Sequence, residues 1–302
     1  MKPPRVHEGQ TTEALEAELA ASLEYGFVPP KFLYTSARQS ELWLELHQQC
    51  APTADLGAPY LEAAPHLPKE IRSLVSLGCG GGEKEISILN ALNRGIEFIP
   101  TDISEPLART AAQLAQKNNI PTGTPLIFDL AAANNAAQFL QPHVAQPRLF
   151  TFFGIIPNFP PTLILPKVRS LMENNDHLLA SANLAPNGME PILEQYDNTP
   201  TRRWLEQFLT EHEISGGILR INIRRQDHIE WFQADYIFEA DTQVSIGGRL
   251  IQFASGTALQ LFVSHRYTPH SATKVFAEHG LCISQTFLSE KQEEGVFLCH
   301  PQ

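Results

Sequence analysis

The sequence contains few cysteines, and those it has are far apart. In 302 residues there are four, at Cys50, Cys79, Cys282 and Cys299. Their spacing excludes a zinc knuckle, and four scattered cysteines do not make a disulfide framework. The sequence therefore predicts buried, reduced thiols.

Long apolar runs and excess positive charge are also missing. No segment reaches the ~18 uninterrupted apolar residues of a membrane span, and residues 1–7 lack the apolar stretch of a secretory signal. The formal net charge is −11, which disfavours nucleic-acid phosphates as a partner. We therefore expect a cytoplasmic protein, monomeric or homodimeric, with no membrane or nucleic-acid partner.

The histidines lack the spacing of a metal site. His228, His265 and His270 are not combined with a nearby aspartate or cysteine in a pattern typical of zinc ligands. We expect no bound metal.

Between residues 71 and 183, apolar strands alternate with amphipathic helices. Alternation with crossovers of this length predicts a parallel sheet with helices on both faces. The predicted strands are 72–77, 96–100, 124–128, 148–153 and 177–182. The predicted helices are 83–94, 104–118, 130–140 and 161–173, preceded by three more at 11–23, 36–49 and 55–64.

Residues 216–264 have a different pattern, in which apolar and polar residues alternate with period two. This pattern predicts an inserted antiparallel sheet, and breaks at Gly216–Gly217, Ala240–Asp241 and Ser255–Gly256 predict its hairpin turns. Beyond it, Pro269 predicts the first turn of a helix. The last two predicted strands, 281–288 and 295–299, form a terminal hairpin.

Four glycines in five residues follow the strand predicted at 72–77. They are Gly78, Gly80, Gly81 and Gly82. Glycine lets the backbone turn sharply and approach a ligand without a Cβ in the way. A tight turn without a ligand is the alternative, but it does not require so many glycines, so a ligand-binding loop is favoured.

Two nucleotide-like ligands compete for this loop. A dinucleotide fingerprint reads G-x-G-x-x-G, and Glu83 stands where its third glycine would be. An acid there would face a pyrophosphate with like charge, whereas S-adenosylmethionine (SAM) has no phosphate. Asp102 ends the second strand, where it could bind both ribose hydroxyls, and Asp129 ends the third, where it could accept from the adenine amino group. The combination favours SAM over NAD, and an NAD-linked oxidoreductase is the alternative.

These residues resemble a known family. LGCGGGEK (77–84) with TDIS (101–104) resembles the class I methyltransferases, and more narrowly the histidine-specific (ergothioneine-pathway) methyltransferases, whose motif is similar to L-G-S-G-x-x-E-K followed by D-V-S. The first motif indicates only the fold, and an ordered set of further matches is more specific. The further matches are PPKFLYTSARQSELW (29–43), FFGIIPNF (152–159), LLASANLAP (178–186), ILEQYDN (192–198) and FVSHRYTPHSATKVFAEHGL (262–281).

The resemblance implies an α/β fold with two parts. A Rossmann-like class I methyltransferase domain with a central, mostly parallel sheet would comprise 52–188 and 265–302. A second α+β domain, made of the N-terminal helices and the inserted antiparallel sheet at 1–51 and 189–264, would close over an amino-acid substrate. SAM is the implied cofactor. The motif positions implied to bind it are Gly78, Cys79, Gly80, Gly82, Lys84, Asp102, Ile103, Asp129, Leu130, Phe153 and Gly154.

The resemblance also implies residues that bind a small-molecule substrate. Asn158 and Tyr196 would hold its α-carboxylate, and Tyr34 would approach its amine, which makes Tyr34 and Asn158 the implied catalytic residues. Ser264 matches a family serine near the imidazole of histidine. Each also has a structural alternative: a loop cap for Asn158, half-buried packing for the tyrosines and an ordinary strand residue for Ser264.

Two positions depart from the family pattern. The imidazole-binding glutamate of the family corresponds to Phe262, and its second tyrosine, in a Y-Y-P-T stretch, corresponds to 50–53, where the sequence is Cys-Ala-Pro-Thr. An imidazole would lose its partners at both places. Phe262, with Trp231 or Phe232 if they face the cleft, would instead favour an apolar or aromatic side chain.

The sequence therefore predicts a methyltransferase that acts on the amine of a small amino acid or amino-acid-derived metabolite other than free histidine. Two alternatives stay open. One is transfer to oxygen, sulfur or carbon of a small natural-product metabolite. The other is a protein that binds SAM without catalysis.

Overall fold

A computed structural model of the chain describes residues 2–50, 57–226 and 229–302. Three expectations fall wholly or partly outside these residues. They are the match to the second family tyrosine at 51–53, the start of the helix predicted from residue 55, and His228.

Within the described residues the α-helices are α1 (Thr12–Glu24), α2 (Ala37–Cys50), α3 (Ala58–Ala63), α4 (Glu83–Leu92), α5 (Glu105–Lys117), α6 (Ala136–Leu140), α7 (Pro161–Leu171), α8 (Thr199–Glu211) and α9 (Pro269–Glu278). The strands are β1 (Arg5–Val6), β2 (Ser73–Leu77), β3 (Glu97–Asp102), β4 (Leu126–Ile127), β5 (Arg148–Phe152), β6 (His177–Asn183), β7 (Gly217–Gln226), β8 (Ile229–Phe238), β9 (Thr242–Ile246), β10 (Arg249–Phe253), β11 (Ala258–Arg266), β12 (Leu281–Leu288) and β13 (Glu294–Pro301).

The chain divides into two compact units. The first, called the sheet unit below, comprises Met1–Glu8, Thr53–Pro186 and Tyr267–Gln302. The second, called the insert unit, comprises Gly9–Pro52 and Asn187–Arg266.

The sheet unit contains an eight-stranded sheet in the order β1-β4-β3-β2-β5-β6-β13-β12. All pairs from β1 to β6 are parallel, while β13 runs antiparallel to β6 and β12. The expected central, mostly parallel sheet is confirmed. Because the order reverses between β2 and β5, a crevice is expected outside the carboxyl ends of these two strands, which is the usual ligand position in such folds.

Both faces of this sheet are covered by helices. One face packs α3, α4 and α5 against strand residues such as Leu74 and Phe98. The other face packs α6, α7 and α9 against residues such as Val75 and Phe150. The strands are therefore apolar on both sides, which explains the continuous apolar segments of the sequence.

One predicted helix is much shorter than expected. The helix predicted over 130–140 is limited to α6, and β4 covers only two residues of the strand predicted over 124–128. The side chain of Asp129 accepts hydrogen bonds from the backbone N–H groups of Ala131 and Ala132, which makes a turn where the helix was expected to begin. Asn134 and Asn135 follow, and both have low helix propensity.

The insert unit contains two antiparallel sheets, which confirms that an antiparallel region is inserted. Strands β11, β8 and β7 form one, and β9 pairs with β10 in the other. Helices α1, α2 and α8 share a core with these strands. The sequence had predicted a single sheet.

The predicted hairpin turns were wrong. Gly216–Gly217 leads from α8 into β7, while Ala240–Asp241 and Ser255–Gly256 join strands that do not pair with each other. The turn between the paired strands β9 and β10 is Gly247–Gly248, and both glycines have positive φ, as a tight two-residue hairpin requires. Composition marked the breaks correctly but could not tell a hairpin turn from a connection between sheets.

The thiols and helices show two further features. Cys79 and Cys299 are buried and free, but Cys282 is only half-buried, because it lies on β12 at the edge of the eight-stranded sheet. No helix in the described part of the chain is long and apolar enough to cross a membrane.

Candidate functional site

The glycine loop joins β2 to α4 at the carboxyl edge of the sheet. Gly78, Gly80 and Gly82 have φ values of +70°, +51° and +81°. A Cβ on Gly78 would lie 1.9 Å from Cδ1 of Ile155, and a Cβ on Gly82 would lie 2.9 Å from Cβ of Ala111 on α5. Only glycine allows both this backbone conformation and this close packing.

Glu83 occupies the first position of α4, directly after the loop. Its carboxylate oxygens would lie 2.3 and 2.5 Å from a Cβ on Gly81, so the side chain folds back over the loop. A phosphate at this helix start would meet a like charge. This placement supports the argument against a dinucleotide.

Asp102 is the last residue of β3 and lies beside the loop. Its Oδ2 accepts the N–H of Gly80 at 3.0 Å and its Oδ1 accepts the N–H of Ser104 at 2.9 Å. Each carboxylate oxygen has a further lone pair, so two hydroxyl donors can still be accepted. Burial raises the pKa of Asp102 to about 6, against the lowering effect of these hydrogen bonds.

The sequence had predicted that Asp129 ends a strand, but it does not. It lies two residues after β4, and its Oδ1 accepts the turn N–H groups of Ala131 at 2.8 Å and Ala132 at 3.2 Å. The side chain is 9% exposed. Ile103 and Leu130, the half-buried neighbours of the two aspartates, are the other predicted cofactor residues here.

The remaining predicted cofactor residues lie around β5 and the start of α4. Phe153 follows β5, and its ring packs edge-on against Tyr60, with ring centroids 4.7 Å apart. The N–H of Gly154 donates to Oγ of Ser181 at 3.0 Å. Burial raises the pKa of the Cys79 thiol well above its usual value, and the negative charge of Asp102 adds to this. Cys79 is therefore protonated and unreactive at neutral pH.

Lys84 is the second residue of α4. Its Nζ donates to the hydroxyl of Tyr60 at 2.8 Å and lies 3.5 Å from Oε1 of Glu294 on β13. The resemblance had implied Lys84 as a cofactor residue, but Tyr60 and Glu294 were not expected at this place.

Glu85 is a buried carboxylate, and no sequence motif had indicated a role for it. Its Oε1 accepts from Oγ of Ser76 on β2 at 2.6 Å and from Oγ1 of Thr151 on β5 at 3.1 Å. Burial raises the pKa of Glu85. The carboxyl group thus ties the start of α4 to both strands that border the crevice, which positions the glycine loop.

In the insert unit, aromatic rings connect three of the predicted substrate residues. The ring of Tyr34 lies 5.4 Å from that of Trp204, which in turn lies 5.5 Å from Phe262. Phe262 is 6.3 Å from Tyr196, and Tyr196 stacks on Phe232 at 4.2 Å. Trp204 had not been predicted, and Phe232 is fully buried beneath Tyr196.

Trp231 was the alternative to Phe232 in the sequence prediction. It lies on the face of β8 opposite to Phe232. Its Nε1 donates to Gln233 at 2.9 Å, and odd-numbered side chains of a strand face away from the even-numbered ones. Trp231 therefore does not join the ring cluster. Of the two alternatives that the sequence left open, Trp231 or Phe232, it is Phe232 that contacts Tyr196.

Tyr196 also contacts polar side chains of β11. Its hydroxyl lies 3.0 Å from Oγ of Ser264, and Arg266 donates a hydrogen bond to it from Nη2. The guanidinium lies over the Tyr196 ring, with 4.9 Å from Cζ to the centroid. Three side chains at alternate positions of β11 share one face of the strand. In order they are apolar (Phe262), hydroxyl-bearing (Ser264) and positively charged (Arg266).

Arg266 is 7% exposed, and its Nε is buried without a hydrogen-bond partner. Among the described residues, no carboxylate lies within 4.0 Å of its guanidinium. A buried guanidinium normally has an anionic partner. This group therefore has capacity for an anion.

Asn158 lies in the sheet unit, at the end of a short 3₁₀ helix formed by Ile156–Asn158 after β5. Its N–H donates to the carbonyl of Ile155 at 2.9 Å, and the residue is half-buried. Asn158 is therefore the predicted substrate residue that belongs to the sheet unit. The others belong to the insert unit: Tyr34, Tyr196, Phe262 and Ser264.

Comparison with known proteins identifies the family. A family model described as histidine-specific methyltransferase, SAM-dependent, matches residues 58–301. The chain belongs to this family. It is thus a SAM-dependent methyltransferase, as the resemblance of the motifs had implied, and SAM is its cofactor.

Solved structures are similar to this methyltransferase in fold. LaPhzM is 13% identical, with 98% of this chain and 70% of LaPhzM covered and a TM-score of 0.50. The mitomycin 7-O-methyltransferase MmcR is 10% identical, with 97% and 69% covered and a TM-score of 0.49. CcbJ from Streptomyces caelestis is 11% identical, with 84% and 98% covered and a TM-score of 0.43. At such identities the likeness concerns the fold alone. No curated protein sequence matches this methyltransferase significantly.

The residues of the methyltransferase fit SAM. The loop has no Cβ atoms at its glycines, Asp102 keeps free acceptor capacity beside it, and the acid at the helix start disfavours a phosphate. In the described residues no group of three histidine, cysteine, aspartate or glutamate side chains could hold a metal ion.

Sequence reasoning missed five residues described above: Tyr60, Glu85, Trp204, Arg266 and Glu294. Arg266 had a signal, because it lies in the matched segment SHRY. Trp204 had a weaker one, as an aromatic residue on an amphipathic helix. Tyr60 and Glu294 had none, since only the folded chain brings positions 60, 84 and 294 together.

Proposed function

We propose that this methyltransferase acts on the amine of a small amino acid, or of a metabolite derived from one, whose side chain is apolar or aromatic. Free histidine is not its substrate in this proposal. The observation that carries the proposal is the buried Arg266 guanidinium with an unsatisfied Nε and no carboxylate partner among the described residues.

A substrate carboxylate would complete the environment of Arg266. A guanidinium binds carboxylates through two parallel N–H···O hydrogen bonds, and Tyr196 supplies a hydroxyl at the same place. This arrangement supports the earlier assignment of Tyr196 to the α-carboxylate. Arg266 adds a positively charged group to the carboxylate ligands that the resemblance had implied. Asn158 stays a predicted carboxylate ligand on the basis of the resemblance alone.

The side-chain preference follows from Phe262. By the resemblance of the motifs, this residue corresponds to the glutamate that binds imidazole in the family, and it packs against Trp204 and Tyr196. An aromatic ring offers no acceptor to an imidazole N–H, so histidine would leave a polar group unpaired at a cost of ~1–3 kcal/mol. An apolar side chain has no such penalty.

Transfer to an amine asks little acid–base chemistry of the protein. SAM would supply a methyl group on a sulfonium, which is already a good leaving group and would depart as SAH. The substrate amine would attack in its neutral form, after its ammonium has released a proton to solvent. Arg266 and Tyr196 would hold the carboxylate, and Tyr34 would orient the amine. Placing reactants in a near-attack geometry can lower a barrier by ~7–11 kcal/mol, so positioning is enough to account for rapid transfer.

Calorimetric titration tests the proposal directly. The protein is first saturated with S-adenosylhomocysteine (SAH), and phenylalanine, leucine, alanine and histidine are then titrated separately. In parallel, each amino acid is incubated with SAM and protein, and methylated product is measured by mass spectrometry. We expect a ternary complex and methylation with phenylalanine or leucine, and neither with histidine.

Other results of these experiments would support the alternative functions. SAH binding with methylation of a hydroxyl, thiol or carbon acceptor but of no amine would support the alternative methyltransferase. SAH binding without turnover on any acceptor would support a non-catalytic protein. Preferential methylation of histidine would overturn the substrate proposal while leaving the family assignment intact.

A further inference from the structure

Tyr60, Lys84 and Glu294 form a cluster at the carboxyl edge of the large sheet. Tyr60 is on α3, Lys84 on α4 and Glu294 at the start of β13. The Tyr60 hydroxyl donates to Oε1 of Glu294, and the Lys84 ammonium donates to the Tyr60 hydroxyl and lies over its ring, 4.4 Å from the centroid. The Tyr60 and Lys84 side chains thus converge on one carboxylate oxygen of Glu294.

The second oxygen of Glu294 has no partner. Oε2 is buried and accepts no hydrogen bond, although Glu294 is 6% exposed. Leaving a buried acceptor unsatisfied costs ~1–3 kcal/mol, and more for a charged group. An unsatisfied buried carboxylate oxygen in a native fold calls for a ligand that completes it.

The position of the cluster indicates which ligand this is. Lys84 is two residues after the last glycine of the loop, and Phe153, whose ring packs on Tyr60, follows β5. The cluster therefore borders the crevice between β2 and β5, where a ligand of this fold binds. It lies on the opposite side of the loop from Asp102, since β3 flanks β2 on one side and β5, β6 and β13 follow on the other.

We propose that Glu294 binds the α-ammonium of the amino-acid end of SAM through Oε2. Lys84, which the family resemblance already implies as a cofactor residue, would bind the α-carboxylate. Asp102 would hold the ribose on the other side of the loop, so the two acids would bracket the cofactor. Tyr60 is a positioning residue, because its hydroxyl bridges Lys84 and Glu294 and keeps Oε1 occupied.

The charges of this arrangement balance. Lys84 and Glu294 carry one positive and one negative charge, and the amino-acid end of the cofactor carries one of each. Inserting it creates an alternating set of two cations and two anions, so no net charge is buried. A nucleoside without the amino-acid end would leave Oε2 unsatisfied. This inference rests on SAM as cofactor and is independent of the methyl acceptor.

Three ligands test it on the unmodified protein. SAH has both charged groups, its deaminated form lacks the α-ammonium, and its decarboxylated form lacks the α-carboxylate. Truncating one partner of a buried charge pair typically weakens binding ~30-fold or more. We expect calorimetry to give dissociation constants at least ~30-fold higher for both truncated ligands than for SAH.

Variants assign each group to its partner. Glu294→Gln should weaken SAH binding by the same ~30-fold or more but leave binding of the deaminated ligand within threefold of the unmodified protein. Lys84→Met should likewise weaken SAH binding while leaving binding of the decarboxylated ligand nearly unchanged. Tyr60→Phe should weaken SAH by ~3–10-fold with little effect on the deaminated ligand, because it removes one hydrogen bond to Oε1 of Glu294 while Lys84 stays close to that oxygen. Glu290→Gln, an exposed residue of the same hairpin, is the matched control and should change nothing.

Two results would overturn the proposal. One is a deaminated ligand that binds the unmodified protein within threefold of SAH. The other is an equal loss for all three ligands in Glu294→Gln, which is the effect of a purely structural residue. Should Glu294→Gln fail to fold, as judged by its thermal transition, the ligand series on the unmodified protein and on Tyr60→Phe still decides the question.

Discussion

The backbone N–H of Gly80 donates to Oδ2 of Asp102 at 3.0 Å, and this bond ties the glycine loop to the end of the neighbouring strand. The same carboxylate is buried, and its pKa is raised to about 6. Loop conformation and the protonation state of one acid are thus coupled at the cofactor site.

Cofactor affinity should therefore fall as the pH decreases through 6. An ionised Asp102 accepts hydroxyl hydrogen bonds better than a protonated one, so binding should favour the deprotonated form. With a pKa near 6, the dissociation constant of SAH should be about tenfold higher at pH 5 than at pH 7. Calorimetry across this range measures it. Asp102→Asn should bind weakly at every pH, while the exposed Asp241→Asn should behave like the unmodified protein. A flat pH profile would contradict the assigned role.

The last glycine of the loop, Gly82, should be required for stability. Gly82 has φ +81°, and an added Cβ would lie 2.9 Å from Cβ of Ala111. A left-handed conformation alone costs an alanine ~1–2 kcal/mol, so Gly82→Ala should lower the free energy of unfolding by about 2 kcal/mol or more. Gly95→Ala is the control, since no atom lies within 4 Å of its added Cβ. Denaturant unfolding of both variants measures the difference, and equal stability of the two would argue against close packing here.

Arg266 should discriminate a substrate acid from its amide. Arg266→Met removes the charge with similar length, and loss of a buried charged partner costs ~2–5 kcal/mol of binding. We expect at least ~30-fold weaker binding of the amino acid to the SAH complex, with SAH binding unchanged. The amide of the same amino acid should bind the variant and the unmodified protein equally. Arg220→Met, an exposed arginine on β7, is the control, and an equal loss for acid and amide would leave Arg266 as a packing residue only.

The ion pair between Arg148 and Asp176 should contribute strongly to stability. The Nε of Arg148 donates to Oδ2 of Asp176 at 3.0 Å, and both side chains are almost fully buried. Removing one partner of a buried pair costs ~3–5 kcal/mol, and Asp176→Ala should lower the free energy of unfolding by this amount. By contrast, Glu105→Gln breaks the exposed pair with Arg109 and should cost less than about 1 kcal/mol. Thermal and denaturant unfolding of the two variants measures both losses. Similar decreases in the free energy of unfolding would contradict the prediction.

Much of the sheet unit could be predicted because its signals are local. A continuous apolar segment such as 74–77 predicts a strand buried on both faces wherever it occurs. Glycine at positions 78 and 82 permits the positive φ values that the loop adopts. The position of Asp102 at a strand end follows from the end of the apolar run. The same reasoning failed at Asp129, because its side chain bonds the backbone N–H groups of the next turn and ends the helix pattern there.

The insert unit was less predictable because strand pairing is not local. Period-two alternation marked the strands, and glycine marked the breaks. Neither says which strands pair, so Ser255–Gly256 could not be told from the true hairpin turn at Gly247–Gly248. Likewise, the alternation of Trp231 and Phe232 places them on opposite faces, but only the register of β8 decides which of the two meets Tyr196.

The sequence by itself determined the alternating α/β order, the glycine loop and its neighbouring acid, and the ordered motifs that resemble a methyltransferase family. These features depend on residue type and on spacing within a few turns of chain. Only the tertiary structure decided that Glu294 meets Lys84 across 210 positions of sequence, and that Arg266 is buried without a carboxylate partner among the described residues. Burial and pairing of charge are properties of the assembled fold, because the cost of an unsatisfied polar group arises only when water is excluded from it.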